Sequence, residues 1–123
     1  MLIAVWITSG LLAFAFLVGG IVRLVVPAST YGTWPNQKWI FAVPRAGIVA
    51  ISVAEMLGAA GLILPALTGI APILTPLAAC GLALIMIGAL VFHLRRHEWP
   101  NVPVALVLIT LLTFVAVARF AGV

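Results

Sequence analysis

The sequence predicts an all-α integral membrane protein built as a four-transmembrane-helix bundle. Of its 123 residues, 66% are apolar and only 7% are charged, and the mean hydropathy is +1.39. A soluble domain carries charge on about a quarter of its positions, so we expect the lipid bilayer to be the solvent. Four apolar runs approach the ~20 residues that a helix needs to cross a ~30 Å hydrocarbon core. The length predicts a single domain spanning residues 1–123.

The first predicted helix covers residues 2–26. It carries no charge before Arg23, and Pro27 follows its end. The run lacks a basic segment at its start and is longer than the apolar core of a signal peptide, so we interpret it as a retained helix.

The other predicted helices cover residues 46–64, 73–93 and 104–120. Pro65 is expected to close the second helix, because proline interrupts helical hydrogen bonding. Thr75, just before a proline, is a candidate N-cap for the third.

The charges predict an orientation and exclude one class of partner. The net charge is +4, and the basic residues lie beside apolar runs, where they set topology and meet anionic headgroups rather than nucleic acid. We therefore expect no nucleic-acid partner. The positive-inside rule places the first and third connections in the cytoplasm and both termini outside it. The basic residues on the predicted cytoplasmic side are Arg23, Lys38, Arg45, Arg95 and Arg96, against Arg119 on the other.

Small residues at four-residue spacing predict where helices meet. Ala50, Ala54 and Gly58 form one such stripe, and Ala15 and Gly19 form another. Stripes of this kind let helix backbones approach closely in lipid. Together with the small mass, they make homo-oligomerisation an expectation.

Glu55 is the most informative residue, because it lies near the middle of the second predicted span. A carboxylate there costs on the order of 3 kcal/mol on insertion scales, so it must pair, titrate or line a wet cavity. Arg23 continues the Ala15–Gly19 stripe and is its natural partner. Two interpretations stay open: a ligand-binding or proton-carrying carboxylate, and a buried partner that fixes two helices together.

His93 and His97 share one helix face if the third helix continues, with Glu98 nearby. That spacing is found in metal sites, but without a further ligand we predict no metal. Instead, we expect Arg23, Glu55 and His93 to converge on one cavity that opens to the cytoplasm or to the inner leaflet, with no catalytic residue identified.

The segment AEMLGAAGLILPALTGIAPILTPLAACGLALIMIGALVFHLRRHE, residues 54–98, resembles the DoxX-like family of small bacterial four-helix membrane proteins. FLVGGIVRL near the start is similar to the family's ending of its first helix. Arg23 then holds the family's basic position and Glu55 its membrane glutamate. The loop 26–44 matches least well.

The resemblance implies a protein of the bacterial inner membrane, but only a modest statement of function. Some members are linked to sulfur oxidation coupled to quinone or to oxidative-stress complexes, and distant relatives act in membrane-protein assembly. The leading hypothesis is a non-catalytic accessory subunit that binds an apolar small molecule such as a quinone and works with a redox partner. As part of an enzyme, it would belong to a membrane-bound oxidoreductase complex.

Two alternatives stay open at this point. A small proton-coupled transporter fits the length and the membrane glutamate. However, the glutamate of small multidrug exporters lies in the first helix within an aromatic cage, and the sequence shows no aromatic residue beside Glu55. The other alternative is a structural or assembly protein without a ligand.

Overall fold

A computed structural model describes residues 1–122 of the chain as helices joined by short connections, with no strand in that range. Four of its helices are long and apolar enough to cross a membrane, which confirms the all-α four-helix membrane fold. Two 3-10 helices, at Lys38–Ala42 and Trp99–Asn101, lie in the connections. The α-helices are α1 (Leu2–Val25), the one-turn α2 (Ala28–Tyr31), α3 (Arg45–Thr68), α4 (Leu74–Arg95) and α5 (Val102–Phe120).

The prediction that Pro65 closes the second spanning helix is wrong. Pro65 lies inside α3, which continues to Thr68 and ends at Gly69, a residue with a φ of 74°. A left-handed glycine is a common helix C-cap, and here its N–H donates to the carbonyl of Pro65 at 3.0 Å. Membrane helices tolerate proline because neighbouring groups satisfy the freed backbone, so the glycine decides where α3 ends.

Thr75 is not the N-cap of α4. The helix begins at Leu74 after Ile73, so Thr75 stands one residue inside it. Its side chain is fully buried, and its hydroxyl has no hydrogen-bond partner within residues 1–122. Pro76 does lie in the first turn, where its missing N–H leaves no bond unmade.

The four spanning helices form a ring in which α1 packs on α3, α3 on α4, α4 on α5 and α5 on α1. α1 and α3 approach each other closely at Gly20, where an added Cβ would lie 2.9 Å from the carbonyl oxygen of Ser52. Between α3 and α4, Gly58 packs against Leu82. The stripe prediction therefore holds at Gly58 but is wrong for its other two members, Ala50 and Ala54, which are exposed.

A layer of leucines fills the middle of the bundle, one from each spanning helix. They are at most 1% exposed and belong to one apolar cluster. These residues are Leu12, Leu62, Leu82 and Leu112.

The connections 26–44 and 96–101 lie together at one end of the bundle, which we call the loop end. The side-chain amide of Asn101 donates to the carbonyl of Asn36 at 3.1 Å and so joins the two connections. Arg45 begins α3 and donates to the carbonyls of Arg23 and Leu24 at 3.1 and 3.0 Å. It thereby caps the C-terminus of α1, whose last carbonyls have no partner within the helix.

Candidate functional site

A cavity of about 510 Å³ lies between the four spanning helices at the loop end. Connection 26–44 covers it from outside the bundle, contributing Tyr31 and Trp39 among its lining residues. Arg23, Glu55 and His93 all line this cavity. The predicted convergence of these three residues is therefore confirmed as geometry, whereas a ligand-binding or proton-carrying role for them stays a prediction.

Arg23 and Glu55 form an ion pair between α1 and α3, in which Nη2 of Arg23 donates to Oε2 of Glu55. Nε of the same guanidinium donates to Oγ of Ser52 at 3.3 Å. Gly19 lies beside the group, and a Cβ there would stand 3.7 Å from the guanidinium nitrogens, in ordinary van der Waals contact. The predicted pairing of Arg23 with Glu55 is confirmed.

Burial makes this pair energetically consequential. The Glu55 side chain is 5% exposed and that of Arg23 is 14% exposed. Losing one partner of a buried pair leaves an uncompensated charge and costs about 3–5 kcal/mol, whereas apolar replacement of both is often neutral. The pair thus presents a donor and an acceptor, without net charge, at the side of an otherwise apolar cavity.

His93 provides a second polar group, on α4. Its Nδ1 lies 2.9 Å from Oε1 of Glu98, and the same carboxylate oxygen accepts from Nε of Arg96 at 3.3 Å. With Nδ1 engaged, Nε2 is the ring nitrogen left for other partners. Trp39 packs against the ring edge to face, with centroids 6.2 Å apart.

The expectation that His93 and His97 share a helix face is wrong. α4 ends at Arg95, and His97 has a φ of 55°, so the chain turns away before the next helical position is reached. Within residues 1–122, no group of three or more His, Cys, Asp or Glu side chains is placed to hold a metal ion.

Aromatic side chains border the cavity, although the sequence shows none beside Glu55. Phe16 on α1 and Phe92 on α4 join Tyr31 and Trp39 from the covering connection. Nε1 of Trp39 donates to Oε1 of Gln37 at 2.8 Å, which satisfies the indole within the connection. No local spacing signals this arrangement, because the folding of connection 26–44 over the bundle brings the rings together.

The central leucine layer does not contribute to the lining of the cavity. None of its four members lines the cavity, which ends instead at residues such as Phe16 and Met86. The space therefore extends from the loop end toward the middle of the bundle. The cavity is lined by apolar and aromatic side chains, and it has two separate hydrogen-bonding groups, the Arg23–Glu55 pair and His93.

Comparison with known proteins agrees with the resemblance seen in the sequence. The model of the DoxX-like family matches residues 7–115, a range that includes all of α3 and α4. No curated protein and no solved structure matches the chain. With most of its length matched, the chain belongs to the DoxX-like family.

Proposed function

We propose that this protein binds an apolar small molecule with a polar head, of the quinone type, as a non-catalytic accessory subunit of a membrane redox partner. The cavity at the loop end is the observation that carries the proposal. Its volume of about 510 Å³ falls in the ~300–1,000 Å³ range of small-molecule sites, which are mostly apolar with a few placed polar groups.

The polar groups of the Arg23–Glu55 pair match the two redox forms of a quinone head group. The guanidinium of Arg23 is a donor suited to a quinone carbonyl, and the carboxylate of Glu55 is an acceptor suited to a quinol hydroxyl. The aromatic rings of Phe16, Phe92 and Trp39 offer faces and edges for packing a flat ring. An apolar cavity with this lining supports the binding of a quinone ring beside the Arg23–Glu55 pair.

The proposed dependence on a partner follows from the side chains available for electron transfer. The chain has one cysteine, Cys80, which is half-buried as a free thiol. One thiol makes no intramolecular dithiol couple. The electrons that reduce a bound quinone therefore come from the partner, and those released by a bound quinol pass to it. This chain holds and orients the ring.

The test removes the Arg23–Glu55 ion pair while keeping the bundle intact. In the Arg23→Met/Glu55→Met double variant, no buried charge is left unpaired, so the fold should persist. Wild type, the double variant and an Arg95→Met control, altered at an exposed position, are purified in nanodiscs with added ubiquinone and analysed by native mass spectrometry. We expect quinone on the wild type and control, and at least a tenfold weaker occupancy on the double variant.

Other outcomes favour the alternative functions. Equal quinone occupancy in all three proteins contradicts a site at Arg23–Glu55. An empty wild type whose loss destabilises a membrane partner indicates an assembly role. Proton-coupled efflux of a cationic dye from wild-type proteoliposomes, abolished by Glu55→Gln, indicates a transporter.

We further propose that the chain lies in a bacterial cytoplasmic membrane with its loop end in the cytoplasm. The basic residues Lys38, Arg45, Arg95 and Arg96 at that end support this orientation by the positive-inside rule. In a Cys80→Ala background, a membrane-impermeant maleimide should label Ala121→Cys in intact spheroplasts, but Ser29→Cys only after lysis. Both positions are exposed, and the reverse pattern contradicts the orientation.

A further inference from the structure

The cavity also meets the outer surface of the bundle, at the seam between α3 and α4. Ile51 on α3 and Gly88 on α4 both line the cavity, and both are exposed, Ile51 at 37%. A residue that borders the cavity and the outside at once marks an opening. At this seam one such residue stands on each helix.

The two residues lie at the same depth. Ile51 follows Arg45 by about 9 Å along α3, and Gly88 precedes Arg95 by about 10 Å along α4, at 1.5 Å of rise per residue. Farther from the loop end, the helices close on each other where Gly58 packs against Leu82. The opening therefore faces the hydrocarbon of the leaflet at the loop end rather than water.

The seam between α1 and α5 is the second candidate opening. Its exposed lining residues are Ala15 and Val104, which lie about 15 Å and about 3 Å from the loop ends of their helices. Leu108 stands between these depths, half-buried and packed against the apolar cluster of the bundle. The exposed lining residues of this seam therefore do not face each other at one depth.

We propose that the α3–α4 seam at Ile51 and Gly88 is the route by which a membrane-borne ligand reaches the cavity and through which its apolar tail stays in the lipid. The inference rests on the proposed function, because it takes the ligand's head to occupy the cavity. A cavity of about 510 Å³ holds a ring but not an isoprenoid chain long enough to span the ~30 Å of the hydrocarbon core. The tail of a long-chain quinone must leave the bundle laterally, and the missing side chain at Gly88 leaves space for it.

Gly88 and Gly81 form a matched pair for testing this route. Both are exposed glycines of α4, and an added Cβ at either would meet nothing within 4 Å. A new Cβ therefore clashes at neither position, and leucine makes the same change in helix propensity at both. Only Gly88 lines the cavity.

The experiment measures how fast nanodisc-embedded wild type, Gly88→Leu, Gly81→Leu and Ala15→Leu bind a short-chain and a long-chain ubiquinone, using quenching of tryptophan fluorescence. We expect Gly88→Leu to slow association of the long-chain quinone at least tenfold and to change that of the short-chain analogue less than threefold. Gly81→Leu should match the wild type for both.

Any other result contradicts either the route through the α3–α4 seam or the proposed function on which it rests. Equal binding of the long-chain quinone by Gly88→Leu and wild type overturns the α3–α4 route. So does equal loss of both quinones, which would place the ligand's head at Gly88, and so does selective loss in Ala15→Leu, which would assign the α1–α5 seam. A wild type that binds neither quinone contradicts the proposed function itself.

Discussion

Replacing Arg23 and Glu55 by methionine, singly and together, measures what the buried pair contributes to the bundle. Each single replacement leaves one charge without its partner in a site where the side chains are 14% and 5% exposed. Because both side chains border a cavity, we expect each cost at or just below the lower end of the ~3–5 kcal/mol typical of a broken buried pair. The two costs should nevertheless differ in size.

The difference follows from how each orphaned charge can relax. In Glu55→Met, the long stem of Arg23 lets its guanidinium move toward the loop end, so we expect a loss of about 2 kcal/mol. In Arg23→Met, the short, deeper carboxylate of Glu55 cannot reach water, and about 3 kcal/mol is expected. The double variant leaves no unpaired charge and should lie within about 1 kcal/mol of the wild type.

The assay is unfolding by dodecyl sulfate in mixed micelles, followed by far-ultraviolet circular dichroism. The double-mutant cycle should give a coupling of about 4 kcal/mol, well above the ~0.6 kcal/mol average of ordinary interhelical hydrogen bonds in membranes. Arg95→Met is the control for loss of an exposed positive charge and should change stability by less than about 0.5 kcal/mol. A coupling below about 1 kcal/mol would refute the reasoning, because it would mean that the orphaned charges are fully solvated through the cavity.

Two further predictions concern the packing of α1. Gly20→Ala should destabilise the bundle by about 2 kcal/mol through overpacking, because the new Cβ meets the backbone of Ser52. Gly10→Ala, with nothing within 4 Å of its Cβ, is the control in the same unfolding assay, and equal stability of the two variants would contradict the close approach. Arg45→Gln should cost about 1 kcal/mol by removing a cation from the C-terminus of α1; faster amide hydrogen exchange confined to the last turn of α1 is the expected signature, and unchanged exchange there would count against the cap.

The sequence predicts the spans and the ion pair well, because both follow from strong physical costs. Four such apolar runs are costly to expose to water, so they predict membrane spans. A carboxylate in the middle of the membrane is costly without a partner, so it predicts an ion pair. Arg23 is identified because its register continues that of Ala15 and Gly19. The same register is wrong about which small residues of α1 pack against α3, since Ala15 is exposed and Gly20 packs closely against α3.

Helix faces are harder to predict here, because a membrane helix is apolar all round and its periodicity carries little signal. On α3 the buried face runs through Ile48, Ser52 and Glu55, whereas the small residues Ala50 and Ala54 face outward. The end of α3 escapes prediction for a related reason, since lipid favours continued helical hydrogen bonding through Pro65. The covering connection 26–44 lies beyond prediction because its contacts join residues distant in sequence, as in the bond from Asn101 to Asn36.

The position of the ion pair argues for a ligand more strongly than its presence does. Two apolar side chains would join α1 and α3 at least as well as a buried pair, and they would also fill part of the adjacent space. Instead, Arg23 and Glu55 border a cavity that the bundle leaves open above the leucine layer, and His93 adds a second polar group on α4. If the Arg23–Glu55 pair has a purely structural role, the double methionine variant should lose only the two charges. A binding site predicts that the same stable variant loses its ligand, so stability and occupancy measured on one protein separate the two roles.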